Sequence, residues 1–194
     1  MTQAPLDLLC ADLTAEFRRD PGGSGVVELL TRYSAGQHDW QDCRYSCPDT
    51  YSRNLIHRGR DYELLLLCWG EGHESPIHDH AQQSCWMAVL EGTFEEIHFG
   101  SPSGSDGAPV EGRTRRVSAG QVAYIEDEIA LHLIRPVKGT EGVSLHLYAK
   151  PIDSCRVFDP EGGASRQVEV GYTTIRGEPC VESAEQVRAG FLGA

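Results

Sequence analysis

A chain of 194 residues is long enough for one domain with a sizeable core. Its 29 acidic and 17 basic residues give a net charge of -12, which argues against nucleic acid or an anionic membrane as a partner. Met1-Thr2-Gln3-Ala4-Pro5 has neither the basic start nor the apolar core of a signal peptide, and no apolar run reaches membrane length.

Leu6, Leu9, Cys10, Leu13 and Phe17 recur at helical spacing and predict an amphipathic helix near 5 to 18, with Cys10 in its core face. Pro21-Gly22-Gly23 breaks it, and Ser24 is expected to cap a second helix carrying Val26, Val27, Leu29, Leu30 and Tyr33. Residues 35 to 47 are polar and irregular. Strands are predicted over Tyr51–Ile56, Tyr62–Trp69, Cys85–Leu90, Thr93–Phe99, Arg113–Val117, Gly120–Ile125 and Val143–Tyr148. Glu91-Gly92 reads as a hairpin turn, Ser101 to Gly107 as a solvated loop, and Arg113, Arg115 and Arg116 as a solvated basic face. Ser183-x-x-Gln186 resembles a capping box before a last short helix. Many short strands imply an antiparallel sandwich or barrel. The expected organisation is one domain over 1–194, with 1–48 a mainly helical cover. Seven cysteines, with only Cys43 and Cys47 close together, fit free thiols in a reduced, cytoplasmic protein better than a zinc site.

The apolar run Leu64-Leu65-Leu66-Leu67-Cys68-Trp69 ends in glycines and leads to His78-Asp79-His80. On a strand, His78 and His80 face the same way and can hold a metal from one side. His132 lies about fifty residues on. Three neutral imidazoles without a carboxylate leave positions open on an octahedral metal, so such a site suits chemistry better than structure. The bland alternative is a pair of loop histidines. Ser144, His146 and Tyr148 alternate with Leu145 and Leu147, which suits either a buried polar relay or a solvated face. Cys85, Met87 and Val89 share one face of their strand, Trp86, Ala88 and Leu90 the other.

His78-x-His80, four residues, Cys85, six residues and Gly92 resembles the first cupin motif with cysteine in place of glutamate. His132 takes the place of the second-motif histidine, although Glu126 and Glu128 depart from that pattern. Cys68-Trp69-Gly70-Glu71-Gly72-His73, Tyr51-Ser52-Arg53-Asn54-Leu55 and Ser144-Leu145-His146-Leu147-Tyr148 make the chain resemble the cysteine dioxygenase family from about Tyr51 to Cys155. The resemblance implies a cupin-type antiparallel β-sandwich or barrel, a jelly roll, with N-terminal helices packed on one side. It implies one Fe(II) per chain, held by His78, His80 and His132. L-cysteine would bind by thiolate and amine, and both atoms of O2 would go onto sulfur to give the sulfinate, a step of cysteine catabolism towards taurine. Arg53 would clamp the substrate carboxylate and Tyr51 line the pocket. Ser144, His146 and Tyr148 would form a catalytic relay, and Cys85 and Tyr148 a thioether. Cys155 would lie near the pocket mouth. The family's Ser-Pro-Pro is Ala149-Lys150-Pro151 here, and Ser84 replaces a frequent histidine. His38, His57, His73 and His98 read as structural or exposed. The expectation is a cytoplasmic monomer. The rivals are a 3-mercaptopropionate-type dioxygenase, whose members usually lack counterparts of Arg53 and Cys85, and a metal-binding cupin without catalysis.

Overall fold

The structure is a computed structural model that describes residues 3–180 other than 37, 105, 106 and 163. The expected capping box at Ser183 and Gln186 lies outside the described residues. Helix α1 (Pro5–Arg19) begins with proline in its first turn and ends with Arg18 and Arg19, both suited to the helix dipole. Helix α2 (Val26–Ala35) is capped differently from expectation. Gly25 is its N-cap, and no side-chain bond from Ser24 closes the turn. Glu16 of α1 reaches across and accepts the Gly25 N–H at 2.7 Å. A Cβ on Gly25 would meet that carboxylate at 2.7 Å, so the position suits glycine. A single 3-10 turn, Trp40–Cys43, interrupts the irregular stretch that follows.

The strands are β1 (Ser52–Arg58), β2 (Glu63–Trp69), β3 (Ile77–His78), β4 (Cys85–Glu91), β5 (Thr93–Gly100), β6 (Val110–Ser118) and β7 (Val122–Ile125). They continue with β8 (Leu131–Pro136), β9 (Gly142–Tyr148), β10 (Ser154–Phe158), β11 (Arg166–Glu169), β12 (Thr174–Ile175) and β13 (Glu178–Pro179). One sheet runs β13-β12-β1-β2-β9-β4-β7, the other β11-β10-β3-β8-β5-β6. Neighbours are antiparallel apart from the short β1–β12 pair. This is the expected two-sheet fold, but Glu91-Gly92 is not a hairpin turn. β4 and β5 belong to different sheets, and Gly92 is the corner between them. It has φ +84, and a Cβ there would meet the Glu141 carbonyl oxygen at 2.6 Å.

The first sheet is covered on both faces. Leu64, Leu66 and Cys68 of β2 pack outward with Leu9, Leu13, Phe17 and Leu30 of the helices. Leu65, Leu67 and Trp69 pack inward, between the sheets. A strand buried on both sides loses its polar alternation, which explains the unbroken apolar run. β4 divides as expected, with Trp86 and Ala88 outward and Cys85, Met87 and Val89 inward. β9 sends Val143, Leu145 and Leu147 to the helix side. Ser144, His146 and Tyr148 are buried too, so the solvated-face alternative does not hold. Among the described residues no helix is long and apolar enough to cross a membrane.

Leu66 is wholly buried beneath the helices. Leu66→Ala is expected to destabilise the protein by about 2–5 kcal/mol. Val110→Ala, at a position 66% exposed, should change it by no more than about 0.5 kcal/mol. Urea unfolding of both variants checks this; equal effects would contradict the helix-covered sheet.

Candidate metal centre

His78 ends β3 and stands opposite His132 of β8 in the strand register. His80 lies beyond the strand, so simple alternation does not place it. The chain turns there through Ala81 and Gln82, both at positive φ. Asp127, from the turn before β8, fixes the bend. Its carboxylate accepts the His80 N–H at 2.6 Å and the Gln82 N–H at 2.7 Å, and lies 3.2 Å from His80 Nδ1. His78 Nδ1 is 2.9 Å from the Pro76 carbonyl oxygen, and His132 Nδ1 is 3.0 Å from Glu96 Oε1. Each Nδ1 thus has an oxygen partner, which leaves each Nε2 as the ring atom for a metal.

The donor atoms of the three histidines lie within 4.8 Å of one another. His80 Nε2 and His132 Nε2 are 2.9 Å apart. Metal–nitrogen bonds of about 2.1 Å meeting near a right angle would put two such nitrogens roughly 3 Å apart. The residues therefore fit a metal with open positions. Burial and then the nearby His80 hold His78 down, to about 4. The same causes, in the same order, hold His132 well below its ordinary range. Neutral imidazoles are the form that ligates.

Glu96 is buried, and burial by itself would raise its pKa. Hydrogen bonds from His132 and Arg115 outweigh that and hold it at about 2. Asp127 is likewise held at about 2, because the His80 side chain and two backbone N–H groups overcome burial. No local motif marks Asp127, Glu96 or Arg115 as partners of the histidines. Arg115 stands opposite Glu96 in the β5–β6 register and its Nε bonds Glu96 Oε2. The solvated reading of the basic strand fails there, though it holds for the exposed Arg113 and Arg116. His98 also lies 3.4 Å from Glu96, His73 accepts the Gly70 N–H at 2.8 Å, and His57 stacks on Tyr62.

Further along the inner face, Trp69 Nε1 donates to Ser144 Oγ at 3.0 Å, and Ser144 Oγ is 3.0 Å from His146 Nε2. Trp69 is a member of this chain of hydrogen bonds that the sequence did not reveal. Burial, with Arg53 next, holds His146 down to about 3. Tyr148 stands directly opposite Cys85 across the β4–β9 pair. Its ring centroid is 6.3 Å from that of His80. Burial first and then Cys85 push the Tyr148 hydroxyl well up, with Arg53 opposing. Burial likewise raises the Cys85 thiol.

Arg53 is 4% exposed. Its Nε donates to the Gly171 carbonyl at 3.1 Å, while Nη2 has no hydrogen-bond partner among the described residues. Burial alone would lower its pKa, but Tyr148, Tyr51 and Glu63 outweigh that, so the guanidinium stays charged. Tyr51 stacks on Trp69 at 4.2 Å between centroids. Cys155 is buried on β10 with Val157 and Val168, its thiol raised to about 11 by burial. The Ala149-Lys150-Pro151 turn places Lys150 at φ 80.

The chain matches the cysteine dioxygenase type I family over residues 3–161. It is 36% identical to cysteine dioxygenase type 1 of Danio rerio over 156 residues, covering 79% of this chain and 78% of that one. It is 35% identical to the Homo sapiens protein of the same name over 149 residues, covering 76% and 74%. A solved Klebsiella pneumoniae structure, described as an uncharacterized conserved protein with a double-stranded β-helix domain, matches with a TM-score of 0.51 at 14% identity. It covers 64% of this chain and 98% of that one, a likeness of fold alone. Sequence agreement over about three quarters of the chain is the stronger finding, and by it the chain belongs to the cysteine dioxygenase type I family of thiol dioxygenases.

Proposed function

We propose that the protein oxidises L-cysteine with O2 to cysteine sulfinate, at one Fe(II) held by His78, His80 and His132. The observation that carries the choice of substrate is Arg53: a buried, charged guanidinium whose Nη2 has no hydrogen-bond partner among the described residues. Such a group suits a carboxylate, which its planar fork can bind with two parallel bonds. Iron supplies the redox chemistry towards O2 and sulfur when bound. The chain's own part is binding and proton control. Three neutral histidines bring no negative charge to the centre, so a thiolate ligand is favoured over a thiol. Tyr51 closes one wall of the pocket and Cys155 lies towards its mouth. Tyr148 keeps its proton at neutral pH and can donate a hydrogen bond to a bound ligand. Ser144 and His146, steadied by Trp69, complete the polar wall.

The register of Cys85 opposite Tyr148 supports a thioether between the cysteine sulfur and the ring carbon beside the hydroxyl. Two hydrogens are lost, with O2 as oxidant. The bond would hold the hydroxyl in place for catalysis. A purified sample should then hold two forms that differ by those hydrogens, with the lighter one growing during turnover. Peptide mapping reads this; Cys85 fully alkylatable after extended turnover, with no peptide joined to that of Tyr148, would reject the cross-link. Cys85→Ser should keep reduced activity, since Cys85 is not a ligand.

Alanine at His78, His80 or His132 should lower iron content and abolish oxygenation while the fold is kept. His38→Ala is the control. His98 is unsuitable, because it touches the Glu96 carboxylate that holds His132. Wild-type iron in all three variants would sink the ligand assignment. Arg53→Ala should weaken cysteine recognition by about 2–5 kcal/mol, read from kcat/KM. A thiol without a carboxylate should lose far less. Unchanged cysteine kinetics in Arg53→Ala would rule out the clamp.

A further inference from the structure

Four inward residues of the first sheet form a row across it. Arg58 pairs with Glu63, Glu63 with Tyr148, and Tyr148 with Cys85 in the registers of β1, β2, β9 and β4. Glu63 has no exposed surface and begins the apolar run of β2. A buried carboxylate does little for the stability of such a strand, since an apolar side chain packs there as well or better. Its two oxygens have different surroundings. Oε2 accepts from Arg58 Nη1 at 2.6 Å and from the Tyr172 hydroxyl. Among the described residues Oε1 has no hydrogen-bond partner, and neither has Arg53 Nη2. Those two orphaned atoms lie 4.0 Å apart.

Arg53 is therefore held at two ends. Gly171 takes its Nε–H, and the Glu63 charge faces Nη2. Nη2 carries two hydrogens, so one can point towards Glu63 while the other meets a ligand. Glu63 is in turn fixed from the protein's outer side: Arg58 also bonds the exposed Asp153 at 2.6 Å. Gly171 and Tyr172 lie beyond the 3–161 stretch that matches the family, so the family match does not by itself imply this arrangement.

We propose that Glu63 is a positioning residue for carboxylate recognition: fastened by Arg58 and Tyr172, it sets the orientation of the Arg53 guanidinium. The inference rests on Arg53 as the carboxylate clamp. Removing the Glu63 charge leaves Arg53 buried and charged but without its second hold, fastened through Nε to Gly171, so its fork meets the substrate in more than one orientation. Substrate recognition suffers, and the chemical step at the metal does not.

The test is steady-state kinetics on iron-loaded Glu63→Gln and Tyr172→Phe, with iron content measured for each preparation. L-cysteine is compared with 2-aminoethanethiol, a thiol without a carboxylate. Glu63→Gln is expected to raise KM for cysteine about five-fold, with kcat within roughly two-fold and the aminoethanethiol kinetics unchanged. Tyr172→Phe should move KM the same way by about two-fold, and Glu63→Asp should recover part of the loss. In an Arg53→Lys background the Glu63→Gln effect should largely vanish. An unchanged or lower cysteine KM in Glu63→Gln, or equal losses with both thiols, would overturn the proposal. If Glu63→Gln does not fold, an unchanged cysteine KM in Tyr172→Phe overturns it. Arg53→Ala separates the two levels: unchanged cysteine kinetics there reject the clamp itself, whereas a loss in Arg53→Ala without one in Glu63→Gln rejects only the positioning role.

Discussion

The site depends on where the three Nδ1 atoms find their partners. An imidazole presents one nitrogen to a metal only if the other is occupied and the ring cannot turn. Here the partners come from three places: the Pro76 carbonyl just before His78, the Asp127 carboxylate before β8, and the Glu96 carboxylate on β5. Two are buried or half-buried acids that need support of their own. Arg115 supplies it to Glu96, and the backbone N–H groups of His80 and Gln82 supply it to Asp127. Removing either acid frees a ring, and its partners lose a compensating charge in a low-dielectric interior.

A sheet whose inner face carries Arg53, Glu63, Ser144, His146 and Tyr148 cannot rely on that face alone for its apolar burial. The N-terminal helices answer this by covering the opposite face. Leu64, Leu66, Val143, Leu145 and Leu147 pack there, so the same strands that present polar groups inward are anchored by an apolar layer outward. Some inner groups satisfy one another in fixed geometry, as in the bonds from Trp69 through Ser144 to His146, whereas Arg53 Nη2 and Glu63 Oε1 have no hydrogen-bond partner among the described residues. Rigid strands rather than loops thus carry most of the proposed recognition surface, which favours preorganisation.

Much of this was legible in the sequence. The double burial of β2 shows in its unbroken leucines, and the inward set of β4 follows from period-two alternation. The histidine triplet was legible through motif spacing, whereas Arg53 stood out only through the resemblance of Tyr51 to Leu55 to the family. What was not legible is non-local or short. β3 has two residues, too few for any periodicity. β8 carries apolar side chains on both faces, Leu131 outward and Ile134 inward, which hides its strand period. Ser24 offered a local cap, but Glu16 on the neighbouring helix supplied the bond. Asp127 is 47 residues from His80, and Tyr172 is 109 from Glu63. Nothing in the local pattern announces such pairs.

In the proposed function a thiol that bears a carboxylate is held at the histidine centre and receives both atoms of O2 on sulfur. Incubation of iron-loaded protein with L-cysteine under isotopically heavy O2, followed by mass spectrometry of the product, tests it most directly. The expected product is cysteine sulfinate with both sulfinate oxygens labelled. Cystine as the product, or a sulfinate carrying oxygen from water, would contradict it.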